Sequence, residues 1–553
     1  MANVLLINPP WHLRKGNIWR DTASVMPPLG LAWIAAVLER QGHQVQILDA
    51  HAERLTLEAV RDRLAAMGDF DWVGISSTTS LIANALEIAR MAKARWPRSR
   101  VAMGGVHPTV LPEEVLAESA VDVVVRGEGE ETMKELVSGA DFAGVLGISY
   151  RQETATARQG RDGPEGHGED AHATHGQDAH ATHGEDARAT HGQDAHATHG
   201  QDAHATHGQD AHATHGQDAR ATHGQDAHAT HGQDAHATHG QDARATGAVR
   251  HNEHRPLIAD LDSLPMPAYH LLPMARYHPA AGAAKRLPAV SMLATRGCVG
   301  RCTFCYRIFG PSLRCRSGLA LAQEARHLQE HYGIREVCFY DDTFTAVKKE
   351  IREFCRGLRE LKVDLTWSCF SRIDAVDEDT LRAMKDAGCH QIMYGFESAS
   401  EEILRNVGKR VDLEQAAQAV RITRKVGIDI RAAFMLGNPG ETERTLEETL
   451  QYAMRLRPEL VIFNIATPFP GTEMFDWASR QGLLKTRDWE DYDLAHAVME
   501  LPTISSEKVR EFYQKAYRRF YLRPRYIVAR LASIRTLADV TQTLRGLRAV
   551  TGV

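Results

Sequence analysis

Hydrophobic residues recur along this chain in two arrays of short runs, and each run is followed by a cluster of Gly, Pro, Ser or acidic residues. In the first array, apolar runs at residues 4–7, 45–48, 72–75, 101–103 and 121–125 alternate with helical spacing. The clearest helix is 29–41, introduced by Pro27 and Pro28 and stopped by Gly42. Short apolar strands alternating with helices predict an α/β, Rossmann-like parallel sheet flanked by helices, whose ligand crevice lies at the strand carboxyl ends. Those ends read Asn8-Pro9-Pro10, Ser76-Ser77-Thr78, Gly104-Gly105-Val106-His107 and Glu128-Gly129-Glu130. In the second array, runs at 287–297, 336–340, 365–370, 391–394, 428–436 and 460–465 alternate with helices such as 319–332. Six such units predict a partial (β/α)6 barrel of the TIM type, with its site again at the strand carboxyl ends. Residues 503–553 read as helical and basic, a cap over the barrel.

Between the arrays the pattern vanishes. Residues 168–246 are a tandem octapeptide, Gly-(Gln/Glu)-Asp-Ala-(His/Arg)-Ala-Thr-His, without a large apolar residue, and a tract that cannot bury a core is expected to be a disordered insertion. Its histidines offer loose metal binding as an alternative function. The expected organisation is therefore 1–152 as the Rossmann-like domain, 153–250 as the repeat linker, 251–286 as a Pro-punctuated connector, 287–500 as the barrel and 501–553 as the cap. The formal net charge of −6 over 553 residues comes from the repeats, so the folded part is near neutral and gives no argument for nucleic acid. No apolar run reaches the length of a membrane span, and no basic lead precedes the first strand, so a reducing cytoplasm is the expected compartment.

One motif changes the picture. The first barrel strand runs into Cys298-Val-Gly-Arg-Cys302-Thr-Phe-Cys305, three thiols spaced C-x-x-x-C-x-x-C. Structural zinc takes four ligands, commonly in two pairs, and eight cysteines in a chain of this length are too sparse for a disulfide framework. Three thiolates can hold three corners of a [4Fe–4S] cubane and leave one iron open. Cys315, Cys338, Cys355, Cys369 and Cys389 show no metal spacing and are expected as buried or partly buried thiols.

The motif, with Phe304 before its last cysteine, resembles the radical S-adenosylmethionine (SAM) superfamily, in which the open iron binds SAM and electron transfer releases a 5′-deoxyadenosyl radical. The resemblance implies SAM contacts at successive strand ends. Asp341 or Asp342 would take the methionyl amine, Arg372 the methionyl carboxylate, and Ser371 or Glu397 the ribose. Gly437, Pro439 and Phe304 would stand beside the adenine. The first array resembles the cobalamin-binding domain found upstream of many such barrels. That implies cobalamin contacts from Asn8, Pro9, Pro10, Ser76, Ser77, Thr78, Gly104, Gly105, His107, Glu128 and Glu130. Asp49-Ala-His51 imitates a cobalt-ligating motif, but it follows the second strand and Arg54 stands where that motif has glycine, so His51 is expected not to ligate cobalt.

Together these resemblances imply a cobalamin-dependent radical SAM enzyme that methylates an unactivated carbon of a small molecule, with a flavodoxin or ferredoxin as electron donor. Two alternatives stand beside it. One is a cyclase or rearrangement enzyme of the magnesium-protoporphyrin ester type, and the other a non-catalytic corrinoid or redox-sensing iron–sulfur protein. Methylthio insertion into tRNA is disfavoured, because residues 1–297 contain no cysteine.

Overall fold

The computed structural model describes residues 1–11, 17, 24–152, 248–280 and 282–533, with positions 540, 543, 544, 546–548 and 550. The octapeptide tract, expected as a disordered insertion, and much of the stretch after 533, expected as part of the helical cap, lie outside the described residues.

The amino-terminal sheet holds β1 (Asn3–Asn8), β2 (Gln44–Asp49), β3 (Trp72–Ser76), β4 (Arg100–Gly104), β5 (Val123–Val125), β6 (Ile148–Arg151) and β7 (Val249–His251) in the order β2-β1-β3-β4-β5-β6-β7. Strands β1 to β5 are parallel, as the alternating pattern requires, and apolar residues on the two sheet faces form two separate cores against helices. Strands β6 and β7 add an antiparallel edge, with Ser149 opposite His251 and Arg151 opposite Val249. The Gln152 amide donates to the Ala248 carbonyl at 2.9 Å. Gln152 and Ala248 are thus the last rung of a hairpin, and residues 249–251, the first two assigned from the sequence to the repeat linker and the third to the connector, instead complete the first sheet.

The second sheet is parallel throughout, in the order β15-β14-β13-β12-β11-β8, from β8 (Ala289–Met292), β11 (Glu336–Phe339), β12 (Thr366–Ser371), β13 (Cys389–Glu397), β14 (Asp429–Leu436) and β15 (Leu460–Ile465). A small ribbon of β9 (Thr295–Arg296) and β10 (Arg314–Cys315) brackets the cysteine loop. The six strands make the expected half barrel, which leaves the outer edge of β15 unpaired by any strand. The helix Ser506–Tyr521 covers that edge with two tyrosines. Tyr517 Oη accepts from the Phe463 amide (3.1 Å) and donates to the Phe463 carbonyl (2.9 Å), and Tyr521 does the same at Val461 (3.0 and 2.6 Å). Backbone groups that would otherwise invite another strand are satisfied by side chains. Among the described residues no helix is long and apolar enough to cross a membrane.

Candidate functional site

The cysteine loop starts where β9 ends, and its path is set by backbone crowding. Gly297 has φ of 91°, and a Cβ there would lie 2.1 Å from the Ser312 carbonyl oxygen, so only glycine fits. The loop is pinned from two sides: Thr303 N donates to the Val407 carbonyl (3.0 Å) and Met474 N to the Thr303 carbonyl (2.9 Å). Phe304 is half-buried against Val407, Met435, Ala466 and Met474.

The three thiols turn toward a common space. A Cβ on Gly300 would stand 3.3 Å from Cys298 Sγ, 4.0 Å from Cys302 Sγ and 3.0 Å from Arg372 Nη1. Cys298 Sγ lies 3.5 Å from Thr343 Oγ1 and accepts from the Gly300 amide at 3.4 Å. The hydrogen bond from Cys305 draws the Cys302 thiol down to about 7, helped by the positive charge of Lys409. The same bond, with burial, pushes Cys305 up. Among the described residues no three His, Cys, Asp or Glu side chains are set as a one-ion site. Three thiolates that each take a different iron of a cubane need no shared ion. Sulfur donors beside two cations and a bare glycine face fit a cluster held by three cysteines.

Around this loop the strand ends bring other expected residues. Arg372 forks onto Asp374 (2.9 and 2.6 Å) and keeps Nη1 toward Gly300. Glu397 sits at a bulge in β13 with φ of 62° and meets Lys409 Nζ at 3.1 Å. Ser371 Oγ pairs with Thr345 Oγ1 and donates to the Arg372 carbonyl. Gly437 has φ of 82° and donates its amide to Glu441 Oε2 at 3.0 Å, and the Pro439 carbonyl accepts from Asn406 Nδ2 at 2.9 Å. The two aspartates are divided. Asp341 is buried, and its Oδ1 accepts from the Ala294 and Thr295 amides and the Thr295 hydroxyl, so it fastens the turn into β9. Its Oδ2 is enclosed without a partner, and burial pushes the carboxyl up to about 7. Asp342 is exposed. Lys409 carried no signal in the sequence, because its neighbours Glu397 and Cys302 are remote along the chain.

A cavity of about 280 Å³ lies at the carboxyl ends of β3 and β4 and is closed from the barrel side by Leu293, Arg296, Ile308 and Phe309. Of the residues expected to meet cobalamin, Ser76, Gly104, Gly105, Glu128 and Glu130 line it. A Cβ on Gly30 or Gly127, both at its wall, would meet nothing within 4 Å. Bare glycine backbone and apolar side chains around open space fit a bulky, largely apolar cofactor portion. The remaining expected residues stand elsewhere. Asn8 Nδ2 donates to Asp49 Oδ1 (2.8 Å), Pro9 is buried, the Pro10 carbonyl accepts from Asn84, Ser77 bonds the Thr78 carbonyl, and Thr78 is exposed. His107 is enclosed, with Nε2 3.5 Å from Glu114 Oε1 and its ring edge-on to Trp489. His51 follows β2 at the sheet edge, its ring 6.1 Å from Trp11.

Glu128 and Glu130 do more than line the wall. Arg296 Nη1 meets Glu128 Oε1 at 2.9 Å and Arg296 Nη2 meets Glu130 Oε1 at 2.6 Å, all three buried. Arg314 Nη1 adds a second cation on Glu128 at 2.9 Å, and the Ile258 amide donates to Glu128 Oε2 at 2.7 Å. The Arg296 guanidinium also stacks over Trp33 and Phe309, 4.9 and 5.4 Å from their centroids. Since Arg296 stands two residues before Cys298, this network joins the cavity wall to the cysteine loop.

Comparison with known proteins finds two family matches along the chain. Residues 18–137 match the B12 binding domain family and residues 292–453 match the Radical SAM superfamily. The chain is 31% identical to an uncharacterized methyltransferase, PH0819, of Pyrococcus horikoshii, over 96% of this chain and 94% of that one. It is 24% identical to an anaerobic magnesium-protoporphyrin IX monomethyl ester cyclase of Rubrivivax gelatinosus, over 95% of this chain and 78% of the cyclase. In fold it resembles the solved cobalamin-dependent SAM radical enzyme OxsB, with a TM-score of 0.64, 14% identity, and cover of 100% of this chain and 72% of that one. A B12 binding domain ahead of a half barrel whose first strand is followed by the cysteine triad, with similarity to PH0819 along nearly the whole chain, places this protein in the radical SAM superfamily, among its members with an amino-terminal B12-binding domain.

Proposed function

We propose that this enzyme is a cobalamin-dependent radical SAM methyltransferase acting on an unactivated carbon of a small molecule. Similarity to a methyltransferase over 96% of the chain carries this reading. Cys298, Cys302 and Cys305 hold the cluster. Arg372, freed at Nη1, binds the SAM carboxylate, while Glu397, Ser371, Gly437, Pro439 and Phe304 form its nucleoside side. Asp342 is the better candidate for the amine, since Asp341 is committed to the β9 turn. Ser76, Gly104, Gly105, Glu128 and Glu130 line the cobalamin cavity, whereas Asn8, Pro9, Pro10, Ser77, Thr78 and His107 stand outside its lining. When bound, the cluster and SAM supply a 5′-deoxyadenosyl radical for hydrogen abstraction, and cobalamin supplies a carrier for the methyl group. The chain's own part is positional. Lys409 and Arg372 set positive charge beside the thiols, Phe304 seals the loop against Met435 and Met474, and Arg296 holds the cavity wall to the loop. A low-potential flavodoxin or ferredoxin in a reducing cytoplasm suits such a cluster.

The cyclase is kept as a second reading, because a cyclase matches 95% of the chain. Anaerobically reconstituted protein incubated with SAM, reductant and candidate substrates separates them. Methylation yields one 5′-deoxyadenosine and one S-adenosylhomocysteine per product, cyclisation yields 5′-deoxyadenosine alone, and a sensor yields neither. Replacing any triad cysteine with alanine should remove both iron and 5′-deoxyadenosine; retention of either would overturn the triad assignment.

A further inference from the structure

Among the described residues four arginines are buried, and three are visibly partnered. Arg126 donates to the Ile148 and Asn252 carbonyls, Arg296 pairs with Glu128 and Glu130, and Arg316 meets Glu324 at 2.6 Å. The fourth, Arg431, is 9% exposed, and among the described residues no hydrogen bond or ion pair reaches its guanidinium. None of its nitrogens is among the fully enclosed atoms that lack a partner, so part of its head group opens onto space.

Strand alternation fixes where that space is. On β14, Ile430, Ala432, Phe434 and Leu436 belong to the core shared with the helices, so Arg431, Ala433 and Met435 face the inside of the half barrel. Met435 packs with Phe304 of the cysteine loop, and Arg431 lies four residues earlier, about 13 Å along the strand. The strand neighbours of Arg431 are Met393 on β13 and Leu460 on β15, neither of them acidic. Across the barrel, Tyr340 and Phe370 stack at 4.9 Å, both partly exposed. The charge of Arg431 is felt there, because it works against the burial that pushes the Cys338 thiol up to about 12 and raises Tyr340.

A guanidinium cannot shed its proton, and a buried charge without a counterion is costly unless something completes it. Its planar fork matches a carboxylate or a phosphoryl group. We propose that Arg431 is the anion-binding residue of the substrate site. The substrate carries a carboxylate or phosphoryl group that Arg431 holds inside the half barrel, with its reacting carbon toward Met435 and Phe304. This rests on the proposed function in placing the substrate within the barrel.

The test uses the full chain, anaerobically reconstituted, titrated with sodium phosphate and separately with sodium acetate at ionic strength held constant with sodium chloride, while thermal unfolding is followed. The wild type should show a saturable rise in melting temperature with at least one anion, and the more effective one identifies the class. Arg431→Met should move the midpoint of that response by about ten- to a hundredfold, the worth of a charge-assisted bond, and should melt above wild type when no anion is present. Arg431→Lys, which keeps the charge and loses the fork, should give an intermediate midpoint and serves alone if the Met variant does not fold. Equal midpoints in wild type and variants, or no saturable response to either anion, would overturn the proposal. The two readings fail separately. Formation of 5′-deoxyadenosine without an anion response removes the Arg431 site and leaves the radical chemistry, whereas an anion response without 5′-deoxyadenosine does the reverse.

Discussion

Removing the octapeptide tract should stabilise the amino-terminal sheet, and the amount follows from the hairpin that flanks it. The Gln152 amide and the Ala248 carbonyl are 2.9 Å apart, so the sheet holds together the two residues that flank positions 153–247. A segment too poor in apolar residues to bury a core opposes such a closure by an entropy that grows by about 0.6 kcal/mol per doubling of length. Replacing residues 153–247 by Asn-Gly, which suits a two-residue hairpin, shortens the loop by roughly five doublings and should add about 3 kcal/mol to the opening of β6 and β7. Excising half of the tract should add only about 0.6 kcal/mol. Hydrogen exchange at the Ser149, Tyr150 and Arg250 amides, compared across a graded deletion series, reads these differences directly. Cobalamin content and 5′-deoxyadenosine yield should not change. A loss of stability proportional to the number of repeats removed would refute the reasoning, because it would mean that each unit contributes structure of its own, as stacked repeats do.

Three further outcomes follow from the fold. Glu128→Ala leaves Arg296 and Arg314 short of their shared carboxylate, so it should cost about 3–5 kcal/mol in urea unfolding, with little dependence on salt because the network is buried; a cost below about 1 kcal/mol would mean that water replaces the carboxylate. Tyr517→Phe and Tyr521→Phe each remove a hydroxyl that serves both a donor and an acceptor at the β15 edge, so each should cost about 1–3 kcal/mol, and self-association of the double variant at the uncovered edge would appear by light scattering. Burial keeps Asp341 and Glu441 protonated up to about pH 7, whereas an unfolded chain releases those protons near pH 4. The folded state therefore binds more protons across that window, and stability should fall as pH rises from about 4 to 7. Asp341→Asn with Glu441→Gln should flatten the profile, and an unchanged slope would assign the protons elsewhere.

Much of this was legible in the order of residues. The period of the apolar runs predicts both parallel sheets, since a strand buried on two faces must be apolar throughout and a crossover helix must show an apolar stripe. The cysteine triad is equally local, with three ligands within eight residues of one loop. Cys338, Cys355, Cys369 and Cys389 are buried, and Cys315 is half-buried, as their lack of metal spacing suggested. What local spacing cannot carry is which side chains meet across the fold. Glu128 reads as a cavity residue, yet its carboxylate is taken by Arg296, 168 positions away. Glu397 reads as a ribose ligand, yet Lys409 shares it and reaches toward Cys302. Asp341 and Asp342 are neighbours that burial separates into a backbone anchor and an exposed carboxylate. His107 stands in the same strand-end cluster as Gly105, but a short helix turns it away toward Glu114 and Trp489. The sequence alone determined the two α/β arrays and the spacing of the cysteine triad, because periodicity and loop spacing are properties of neighbouring residues. The return of residues 249–251 to the first sheet, the joining of the cavity wall to the cysteine loop through Arg296 and the unpartnered state of Arg431 were decided only by tertiary structure, because each depends on which distant segments the crossing chain brings within hydrogen-bond reach.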